Sequence, residues 1–434
     1  MIDAPAPPGA RVVEPARRLR GELRVPGDKS ITHRGLLLGA QAAGRTRLRN
    51  PGLGADTRAS AALVQALGAE VSIDTDELRV TGLGLHGLRE PADVLDCGNS
   101  GTTMRLASGL LAGRPLHAVL TGDASLRTRP MDRIVRPLRA LGARIDGRAN
   151  GAYAPLALAP SALHGAELDI PVASAQVKSA VVLAALRADG PTVLSQPAPS
   201  RDHTERILRA QGAALRSTGG EVHCEPAADL QALDLDVPGD ISSAAFWIAA
   251  AVLHPDAEIT IRNVGLNPLR TGILDALQTM DADIETRVEV TDPEPSGTVI
   301  ARSSDLQAIT AGGHLIPRLI DEASLLALLA TRAHGESRIA DAAELRVKES
   351  DRLHTTERAL SVLGLELEAE PDGFVIAGGA RAGGGTVDAA GDHRIAMLAA
   401  VAAVSGTGPV AIRGARAVDV SYPTFWDDLA RLAE

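Results

Sequence analysis

The chain has 434 residues, which is too long for one ordinary hydrophobic core and predicts two domains. Hydrophobic residues make up 45% of it but aromatic residues only 2%, so the cores are expected to consist of Ala, Leu, Val and Ile. The formal net charge of −10 argues against a polyanionic partner such as nucleic acid, whereas a small anion could still bind where Lys and Arg cluster locally.

Several features predict a cytoplasmic protein. The two cysteines, Cys97 and Cys224, lack metal-ligand spacing, exclude a disulfide framework and fit a reducing compartment. The N-terminal stretch has no apolar segment of the kind found in secretory signals, and its prolines predict a loose tail over residues 1–12. No run approaches 18 uninterrupted apolar residues, so no membrane span is expected.

Six related segments recur along the chain, and their starts lie 67 to 79 residues apart. Each begins with a Pro, Gly or Asp turn and small polar residues, followed by an Ala/Leu-rich stretch that predicts a helix. They are PGDKSITHRGLLLGA from Pro26, DCGNSGTTMRLASGLLA from Asp96, PVASAQVKSAVVLAAL from Pro171, PGDISSAAFWIAAAV from Pro238, PRLIDEASLLALLA from Pro317 and AGDHRIAMLAAVAAV from Ala390. Amphipathic segments ending near Gly, such as VRPLRALGARID, predict second helices, and stretches such as EITIRNV predict strands.

This recurrence predicts an α/β protein in which each repeat reads strand, helix, strand, helix, strands. A repeat of about 70 residues is too small for a robust core, and three repeats per domain give domains of ordinary size. The alternative is an open solenoid array, although solenoid repeats are typically about 20–45 residues long. Because the first turn of a helix presents unpaired N–H groups and partial positive charge, converging helix starts would suit phosphate and carboxylate groups.

The motifs of the first half lie at or near these helix starts. GDKSITHR begins at Gly27, and it is not a P-loop because Asp28 separates the glycine from Lys29. GNSGTTMR and SAQVKS occupy the next two helix starts, while GDASLRTRPMDR and SRDHTER carry arginines in predicted loops. Each motif alone fits a capped helix or a solvated loop as well as an anion site.

The second half holds the candidates for acid–base chemistry. LIDEAS places Asp321 at the edge of an apolar helix. LRVKESDRL contains Lys348 and Arg352, which are four residues apart and would share one face of a helix, an arrangement that bound anions would stabilise. GDHRIAM adds charged residues at the last helix start.

Three other patterns are not expected to carry a function. GLGLHG from Gly82 matches the dinucleotide fingerprint, but Pro91 follows closely and no long helix starts there. None of the 11 histidines has metal-ligand spacing, so neither a metal nor a cofactor is expected. Cys97 and Cys224 fit buried fillers better than nucleophiles.

In this order, GDKSITHR, GNSGTTMR, the RPM loop, SAQ, LIDE, RVKESDRL and GDHRIAM resemble the EPSP synthase family (3-phosphoshikimate 1-carboxyvinyltransferases) over nearly the whole chain. The resemblance implies two domains, each of three βαβαββ repeats in an inside-out α/β barrel. Domain 1 would comprise residues 1–26 and 240–434, domain 2 residues 27–239, and the active site the cleft between them. It also implies a cytoplasmic, monomeric transferase of the shikimate pathway and aromatic amino acid biosynthesis, which glyphosate inhibits.

The implied reaction transfers the enolpyruvyl group of phosphoenolpyruvate to the 5-hydroxyl of shikimate 3-phosphate by addition and elimination. The resemblance implies as catalytic residues Asp321, which accepts the hydroxyl proton, Glu349, which protonates the methylene carbon, and Lys29. The implied shikimate 3-phosphate ligands are Lys29, Ser30, Arg34, Ser174, Ala175, Gln176, Ser200, Arg201, Asp321 and Lys348. The implied phosphoenolpyruvate ligands are Lys29, Asn99, Gly101, Arg129, Gln176, Arg352, His393 and Arg394.

The chain departs from the family pattern in two places. Many members have Lys in a KTFP-like stretch where SYPTFW places Ser421, so one phosphoenolpyruvate contact is either missing or supplied by another cation. Ala175 replaces a common Ser, as in a bacterial subgroup that is often glyphosate-tolerant and carries Ala at the position of Gly101. Because Gly101 leaves room for the inhibitor, we expect greater glyphosate sensitivity than in the tolerant enzymes.

Three rival interpretations remain. The sister transferase acting on UDP-N-acetylglucosamine shares the fold and mechanism, but it has a Cys in the loop that matches GDASLRTRPM, where this chain has none. A related RNA-end-modifying cyclase would need a basic surface. A non-catalytic ligand-binding module of the same fold is disfavoured by the presence of Lys29, Asp321 and Glu349.

Overall fold

The computed structural model describes residues 9–433, and the chain divides into two compact units. Unit 1 comprises Met1–Pro26, Gly239–Thr291 and Pro295–Glu434, and unit 2 comprises Gly27–Pro238 and Asp292–Glu294. Each unit has its own hydrophobic core. Among residues 9–433, no helix combines the length and apolar character needed to cross a membrane.

The division differs from the sequence-based domain limits at Gly239 and at the tripeptide Asp292–Glu294. The tripeptide packs with unit 2 because Glu294 and His203 form a buried pair, with Oε1 and Nδ1 2.8 Å apart. Arg206 also donates a hydrogen bond to the Pro293 carbonyl at 3.3 Å.

The secondary structure alternates between strands and helices throughout. The strands are β1 Arg11–Val13, β2 Leu19–Leu23, β3 Ala43–Arg49, β4 Glu70–Ile73, β5 Glu77–Leu83, β6 Leu95–Asp96, β7 Ala118–Thr121, β8 Arg144–Gly147, β9 Tyr153–Ala159, β10 Glu167–Asp169, β11 Thr192–Ser195, β12 Leu215–Thr218, β13 Glu221–Cys224, β14 Asp234–Asp236, β15 Ala257–Gly265, β16 Ile284–Val290, β17 Ser296–Arg302, β18 Thr310–Ala311, β19 Ser337–Ile339, β20 Leu367–Glu370, β21 Gly373–Ile376, β22 Gly385–Asp388 and β23 Val410–Arg413. The helices are α1 Lys29–Gln41, α2 Ala55–Ala66, α3 Gly101–Leu111, α4 Asp132–Ala140, α5 Arg148–Gly151, α6 Ala175–Ala185, α7 His203–Ala210, α8 Ile241–Leu253, α9 Gly272–Thr279, α10 Ile316–Leu319, α11 Ala323–Ala330, α12 Arg352–Val362, α13 His393–Val404 and α14 Phe425–Leu432.

Unit 2 contains three four-stranded sheets, with strand orders β14-β3-β5-β4, β6-β7-β9-β8 and β10-β11-β13-β12. In each sheet the first two strands are parallel and the remaining pairs are antiparallel. The second and third sheets follow the predicted order of strand, helix, strand, helix and two strands. The first sheet takes its leading strand, β14, from the far end of the segment, so the three repeats close on one another.

Unit 1 is closed in the same way. Its sheets have the orders β2-β15-β17-β16, β18-β19-β21-β20 and β1-β23-β22. Strand β2 pairs in parallel with β15, and β1 pairs antiparallel with β23, although more than 200 residues separate each pair. This closure contradicts the open solenoid alternative. The loose-tail prediction is wrong for Arg11 and Val12, which lie in β1, while residues 1–8 lie outside the described residues.

Three nearly buried helices, α1, α3 and α6, occupy the centre of unit 2. Near their starts, Arg105 of α3 donates to Gln176 of α6 at 2.6 Å. Near their ends, Arg114 donates to Gln41 at 2.7 Å, which joins the ends of α3 and α1. Arg187, just after α6, also donates to Gln41, at 3.1 Å. The three helices therefore run in parallel inside the sheets, and the predicted inside-out α/β fold is confirmed.

In unit 1 the buried inner helices are α8, α11 and α13, which pack against one another. Their starts are joined through Glu322, which precedes α11 and contacts Ser242 of α8 and Arg394 of α13. Aromatic packing is concentrated here, where Trp247 lies 4.9 Å from Phe425 between ring centroids. The described core of unit 2 contains only aliphatic residues, Met and Cys, in line with the predicted composition.

Candidate active site

Most of the predicted site residues of unit 2 lie at or next to the starts of its three inner helices. Each helix has an N-cap side chain that accepts a hydrogen bond from its first turn: Asp28 from Ile31 N at 2.9 Å, Ser100 from Thr103 N at 3.1 Å and Ser174 from Val177 N at 3.5 Å. Lys29, Gly101 and Ala175 are the first residues of these helices. One cap satisfies only part of the four unpaired N–H groups, so each helix start retains donors suited to an anion.

Lys29 is held by Asp56 in the first turn of α2. Its Nζ lies 3.0 Å from Asp56 Oδ2, and the two side chains are 23% and 14% exposed. An anionic ligand of Lys29 would therefore compete with Asp56 for the ammonium group. Asp56 lies outside the motifs considered in the sequence, although an acidic residue in a helix's first turn is a recognisable pattern.

Arg34 lies deeper and is only 3% exposed. Its Nε donates to Thr204 Oγ1 at 2.7 Å, its NH1 to the Ser30 carbonyl at 2.9 Å and its NH2 to Ser179 Oγ at 2.9 Å. Burial lowers the pKa of Arg34 to about 10, which still leaves it charged at neutral pH. Arg34 thus fixes the backbone of Ser30 at the start of α1.

Asn99, Gly101 and Arg129 are brought together beside α3. Arg129 NH2 donates to Asn99 Oδ1 at 2.5 Å, and Asn99 Nδ2 donates to Asp123 Oδ2 at 2.6 Å. A Cβ atom placed on Gly101 would lie 3.1 Å from Arg105 NH1 and 3.6 Å from Arg129 NH1. The Gly101 backbone therefore lies close to two guanidinium groups, which can neutralise a carboxylate or phosphate.

Gln176 is oriented by a residue that is not among the predicted ligands. Arg105, the last residue of GNSGTTMR, donates to Gln176 Oε1, and Gln176 Nε2 donates to Thr102 Oγ1 at 2.9 Å. Arg105 is 5% exposed. Because both ends of the amide have partners, its orientation is fixed across two helix starts.

Ser174 and Ser200 are joined through Gln196. Gln196 Nε2 donates to the Ser174 carbonyl at 2.9 Å, and its Oε1 accepts from Ser200 Oγ at 2.7 Å. Lys178 donates to the Ser200 carbonyl at 2.8 Å and forms a buried 2.6 Å ion pair with Glu205. These contacts bring the predicted phosphate ligands Ser174 and Ser200 together and fix the residue before Arg201.

In unit 1, Asp321 lies near two basic groups. Its Oδ1 is 3.4 Å from Lys348 Nζ and 3.6 Å from Arg352 NH1. The prediction that Lys348 and Arg352 share one helix face is wrong, because α12 begins only at Arg352, after the N-cap Asp351. The two cations nevertheless meet at the same carboxylate oxygen.

Arg352 also links Glu349 to a buried aspartate. Its NH2 lies 2.5 Å from Glu349 Oε2, and its Nε donates to Asp392 Oδ2 at 2.8 Å. Arg352 and Asp392 are 1% and 0% exposed. Burial opposes the charged form of Arg352, but the Glu349 and Asp392 carboxylates outweigh it and raise its pKa above the ordinary value. Burial would likewise raise the pKa of Asp392, but the Arg352 guanidinium outweighs it and holds that pKa below the usual range.

The start of α13 supplies the last two predicted ligands. Arg394 NH1 donates to the Asp321 carbonyl at 2.9 Å, and the Arg394 backbone N–H donates to the N-cap Asp392 at 3.0 Å. His393 is buried, with its Nδ1 3.9 Å from Asp392 Oδ1. Asp321, Glu349 and Arg352 therefore form one charge cluster within unit 1, and Arg394 is joined to it through the Asp321 carbonyl and the Asp392 side chain.

The two cysteines, Cys97 and Cys224, are both buried. Burial raises the pKa of the Cys97 and Cys224 thiols to about 12, so both are protonated and unsuited to nucleophilic attack. Within the described part of the chain, no three His, Cys, Asp or Glu side chains are grouped to hold a metal ion.

Comparison with known proteins agrees with this architecture. The sequence profile of the family described as EPSP synthase (3-phosphoshikimate 1-carboxyvinyltransferase) matches residues 13–429. A 3-phosphoshikimate 1-carboxyvinyltransferase from Roseiflexus sp. (strain RS-1) is 53% identical over 427 residues, covering 97% of this chain and 99% of that protein. One from Synechococcus sp. (strain WH7803) is 52% identical over 432 residues, covering 98% of each.

Solved structures give the same result. The enolpyruvyl transferase NikO from Streptomyces tendae has a TM-score of 0.78 at 20% identity, covers 98% of this chain and 97% of its own, and shows the shared fold. The EPSP synthase from Acinetobacter baumannii has a TM-score of 0.87 at 37% identity, with 97% of each chain covered. The fold is thus that of the enolpyruvyl transferases. Within that class, the chain belongs to the EPSP synthase family, the 3-phosphoshikimate 1-carboxyvinyltransferases of the shikimate pathway, and it is a transferase.

Proposed function

We propose that the chain transfers the enolpyruvyl group of phosphoenolpyruvate to the 5-hydroxyl of shikimate 3-phosphate, with Asp321 as base and Glu349 as acid. The observation that carries the proposal is Arg352, whose guanidinium contacts Glu349 and also lies near Asp321. The reaction removes a proton from oxygen and adds one to carbon, so it needs a base and an acid close together. The two carboxylates beside Arg352 can fill these two roles.

In the addition step, the 5-hydroxyl oxygen bonds to C2 of phosphoenolpyruvate while Asp321 takes its proton and Glu349 protonates C3. In the elimination step, the bond from C2 to the phosphate oxygen breaks and phosphate leaves with the proton held by Asp321, while C3 returns a proton to Glu349. The double bond forms again and both carboxyl groups regain their starting states. Glu349 must first be protonated.

We further propose that both units supply ligands to this pair of substrates. Unit 2 offers donors for the shikimate phosphate and ring. The neutral donors are Ser174, Ser200 and Gln176, and the cationic donors are Lys29 and Arg34 at the start of α1. Arg129, Arg352 and Arg394 supply guanidinium forks for phosphoenolpyruvate. We also propose a monomer and, because both buried cysteines are unpaired, a cytoplasmic location.

The reaction is tested by measuring phosphate release from phosphoenolpyruvate with shikimate 3-phosphate and, in parallel, with UDP-N-acetylglucosamine. Release with the first acceptor alone is the expected result. Binding of both substrates without phosphate release would favour the non-catalytic ligand-binding module instead. Release with UDP-N-acetylglucosamine alone would favour the sister transferase.

The roles of the carboxylates are tested by Asp321→Ala and Glu349→Ala. Each change should lower kcat by roughly 10²–10⁴-fold, the usual contribution of a general acid or base. Each should leave the dissociation constant of shikimate 3-phosphate less affected. Glu366→Ala, at an exposed carboxylate, is the matched control and should match the wild type. Equal losses in kcat and affinity would assign Asp321 and Glu349 to binding alone.

A further inference from the structure

Unit 1 contains a buried carboxylate that the proposed chemistry does not use. Glu322 follows Asp321 directly, yet it is only 1% exposed, whereas the Asp321 side chain is 15% exposed. Glu322 is the N-cap residue of α11, but its side chain makes no capping hydrogen bond. A buried carboxylate is costly unless it is paired, so the partners of Glu322 indicate its purpose.

Those partners come from the starts of two other inner helices. Ser242, the second residue of α8, donates its hydroxyl hydrogen bond to Glu322 Oε1. Arg394, the second residue of α13, places NH1 3.4 Å from the same oxygen. The carboxylate therefore lies where the starts of α8, α11 and α13 meet, and the partial positive charge of helix N-termini stabilises it there.

Arg270 holds the other carboxylate oxygen. Its NH1 donates to Glu322 Oε2 at 3.1 Å, its NH2 donates to Ser242 Oγ, and Asp240 Oδ1 lies 3.6 Å away. Arg270 is 3% exposed. The Glu322 position is thus fixed by a buried cation on one oxygen and by a hydroxyl and a second cation on the other.

Arg394 is the one partner of Glu322 that is also a proposed substrate ligand. Its NH1 donates at 2.9 Å to the carbonyl of Asp321, the proposed base. Two adjacent residues therefore position one guanidinium nitrogen of Arg394: Asp321 through its backbone carbonyl and Glu322 through its side chain. Movement of the Glu322 carboxylate would release one of these two contacts.

We infer that Glu322, fixed by Arg270 and Ser242, is a positioning residue that holds the Arg394 guanidinium ready for phosphoenolpyruvate. This inference rests on the proposed role of Arg394 in binding that substrate. A long arginine side chain has many rotamers, and fixing it before the ligand arrives reduces the entropy lost on binding. Glu322 itself touches neither substrate and transfers no proton.

A purely electrostatic role of Glu322 predicts the opposite change in the KM for phosphoenolpyruvate. Glu322 is an anion beside a cation that binds an anionic substrate, so removing its charge would strengthen the attraction for phosphoenolpyruvate. If Glu322 only neutralised Arg394, Glu322→Gln would lower the KM for phosphoenolpyruvate. If it positions Arg394, the same change raises that KM.

The test is steady-state kinetics of Glu322→Gln with each substrate varied in turn. We expect the KM for phosphoenolpyruvate to rise about ten-fold, since small displacements of a binding group cost one to two orders of magnitude. The KM for shikimate 3-phosphate should change less than about two-fold, and the pH profile of kcat should keep its shape because no proton is transferred by Glu322. An unchanged or lowered KM for phosphoenolpyruvate, or a lost limb of the pH profile, would overturn the inference.

Ser242→Ala provides a second variant should Glu322→Gln fail to fold. It removes one donor to Glu322 and should raise the same KM in the same direction by a smaller factor. Asp428→Asn is the matched structural control within unit 1, because Asp428 accepts a hydrogen bond from the buried Tyr422 hydroxyl at 2.9 Å. It should lower the thermal stability without changing the KM for phosphoenolpyruvate, so a shifted KM in this variant would mean that any loss of packing mimics the effect.

Arg394→Lys separates the two proposals. If this change leaves the KM for phosphoenolpyruvate unaltered, the proposed role of Arg394 fails. If it raises that KM while Glu322→Gln does not, only the positioning role fails. In the Arg394→Lys background, Glu322→Gln should have little further effect on this KM, because the two residues act through one contact.

Discussion

The buried pair between Arg352 and Asp392 permits a sharp test by Asp392→Asn. Asparagine is as good an N-cap as aspartate, so the start of α13 keeps its cap and only the charge is lost. Removing one partner of a buried ion pair costs about 3–5 kcal/mol in free energy of unfolding. Because Glu349 remains beside Arg352, we expect the lower end of that range, about 3 kcal/mol.

The assay follows from the placement of the tryptophans. The sequence contains two, Trp247 and Trp426, and both belong to unit 1, so tryptophan fluorescence reports the unfolding of the unit that contains the pair. With a urea dependence of about 3 kcal/mol per molar for a unit of this size, the midpoint should fall by roughly 1 M. Asp256→Asn is the control, since Asp256 pairs with Arg20 at the exposed surface and should give no measurable shift.

The pH dependence has a definite sign. Because the pKa of Asp392 is lower in the folded protein than in the unfolded chain, its stabilisation is present above the unfolded pKa, near 3.9, and is lost as the pH falls through the folded pKa. The stability difference between wild type and variant should therefore not decline from pH 8 to pH 5, and it should shrink only below about pH 4. A midpoint shift of less than about 0.3 M at pH 7, or a decline between pH 8 and pH 6, would refute this reasoning.

Two further predictions concern unit 2. Gly101→Ala should raise the KM for phosphoenolpyruvate and weaken glyphosate inhibition by at least about five-fold. The reason is that the added Cβ crowds Arg105 at a cost of about 1 kcal/mol. An unchanged inhibition constant would contradict this prediction. Burial lowers the pKa of His33 to about 3, below its unfolded value, so the unfolded chain binds the proton more readily and stability falls as the pH drops below about 6.5. Relative to His33→Asn, the wild type should lose about 2 kcal/mol between pH 7 and pH 5, measured by hydrogen exchange over residues 27–238, and parallel pH profiles of the two proteins would count against this assignment.

The sequence allowed the helix starts to be predicted because capping is local chemistry. Asp28, Ser100 and Ser174 each act within three residues of their own position, so the motifs around them are informative by themselves. The assumption of one helix through Lys348 and Arg352 failed for a local reason too. Asp351 caps a helix that begins after it, and this signal was present in the sequence.

The contacts between distant residues could not be read in the same way. Glu322 and Arg270 are 52 residues apart, and Arg105 and Gln176 are 71 apart, so no periodicity joins them. Closure of the sheets by β1, β2 and β14 was equally hidden, because a three-residue strand such as β1 or β14 carries too weak a pattern to reveal a partner so far along the chain. These contacts depend on tertiary packing, which a single sequence does not display.

The closure of each unit by a strand from far along the chain has a consequence for biosynthesis. Apart from Asp292–Glu294, unit 2 is one continuous segment whose ends meet, since Asp28 N donates to the Pro238 carbonyl at 2.8 Å. It can therefore fold while the ribosome is still making the remainder. The strands β1 and β2 cannot pair until much later, because β2 pairs with β15 and β1 pairs with β23. The N-terminal strands therefore remain unpaired during most of translation, and unpaired strand edges of this kind can aggregate.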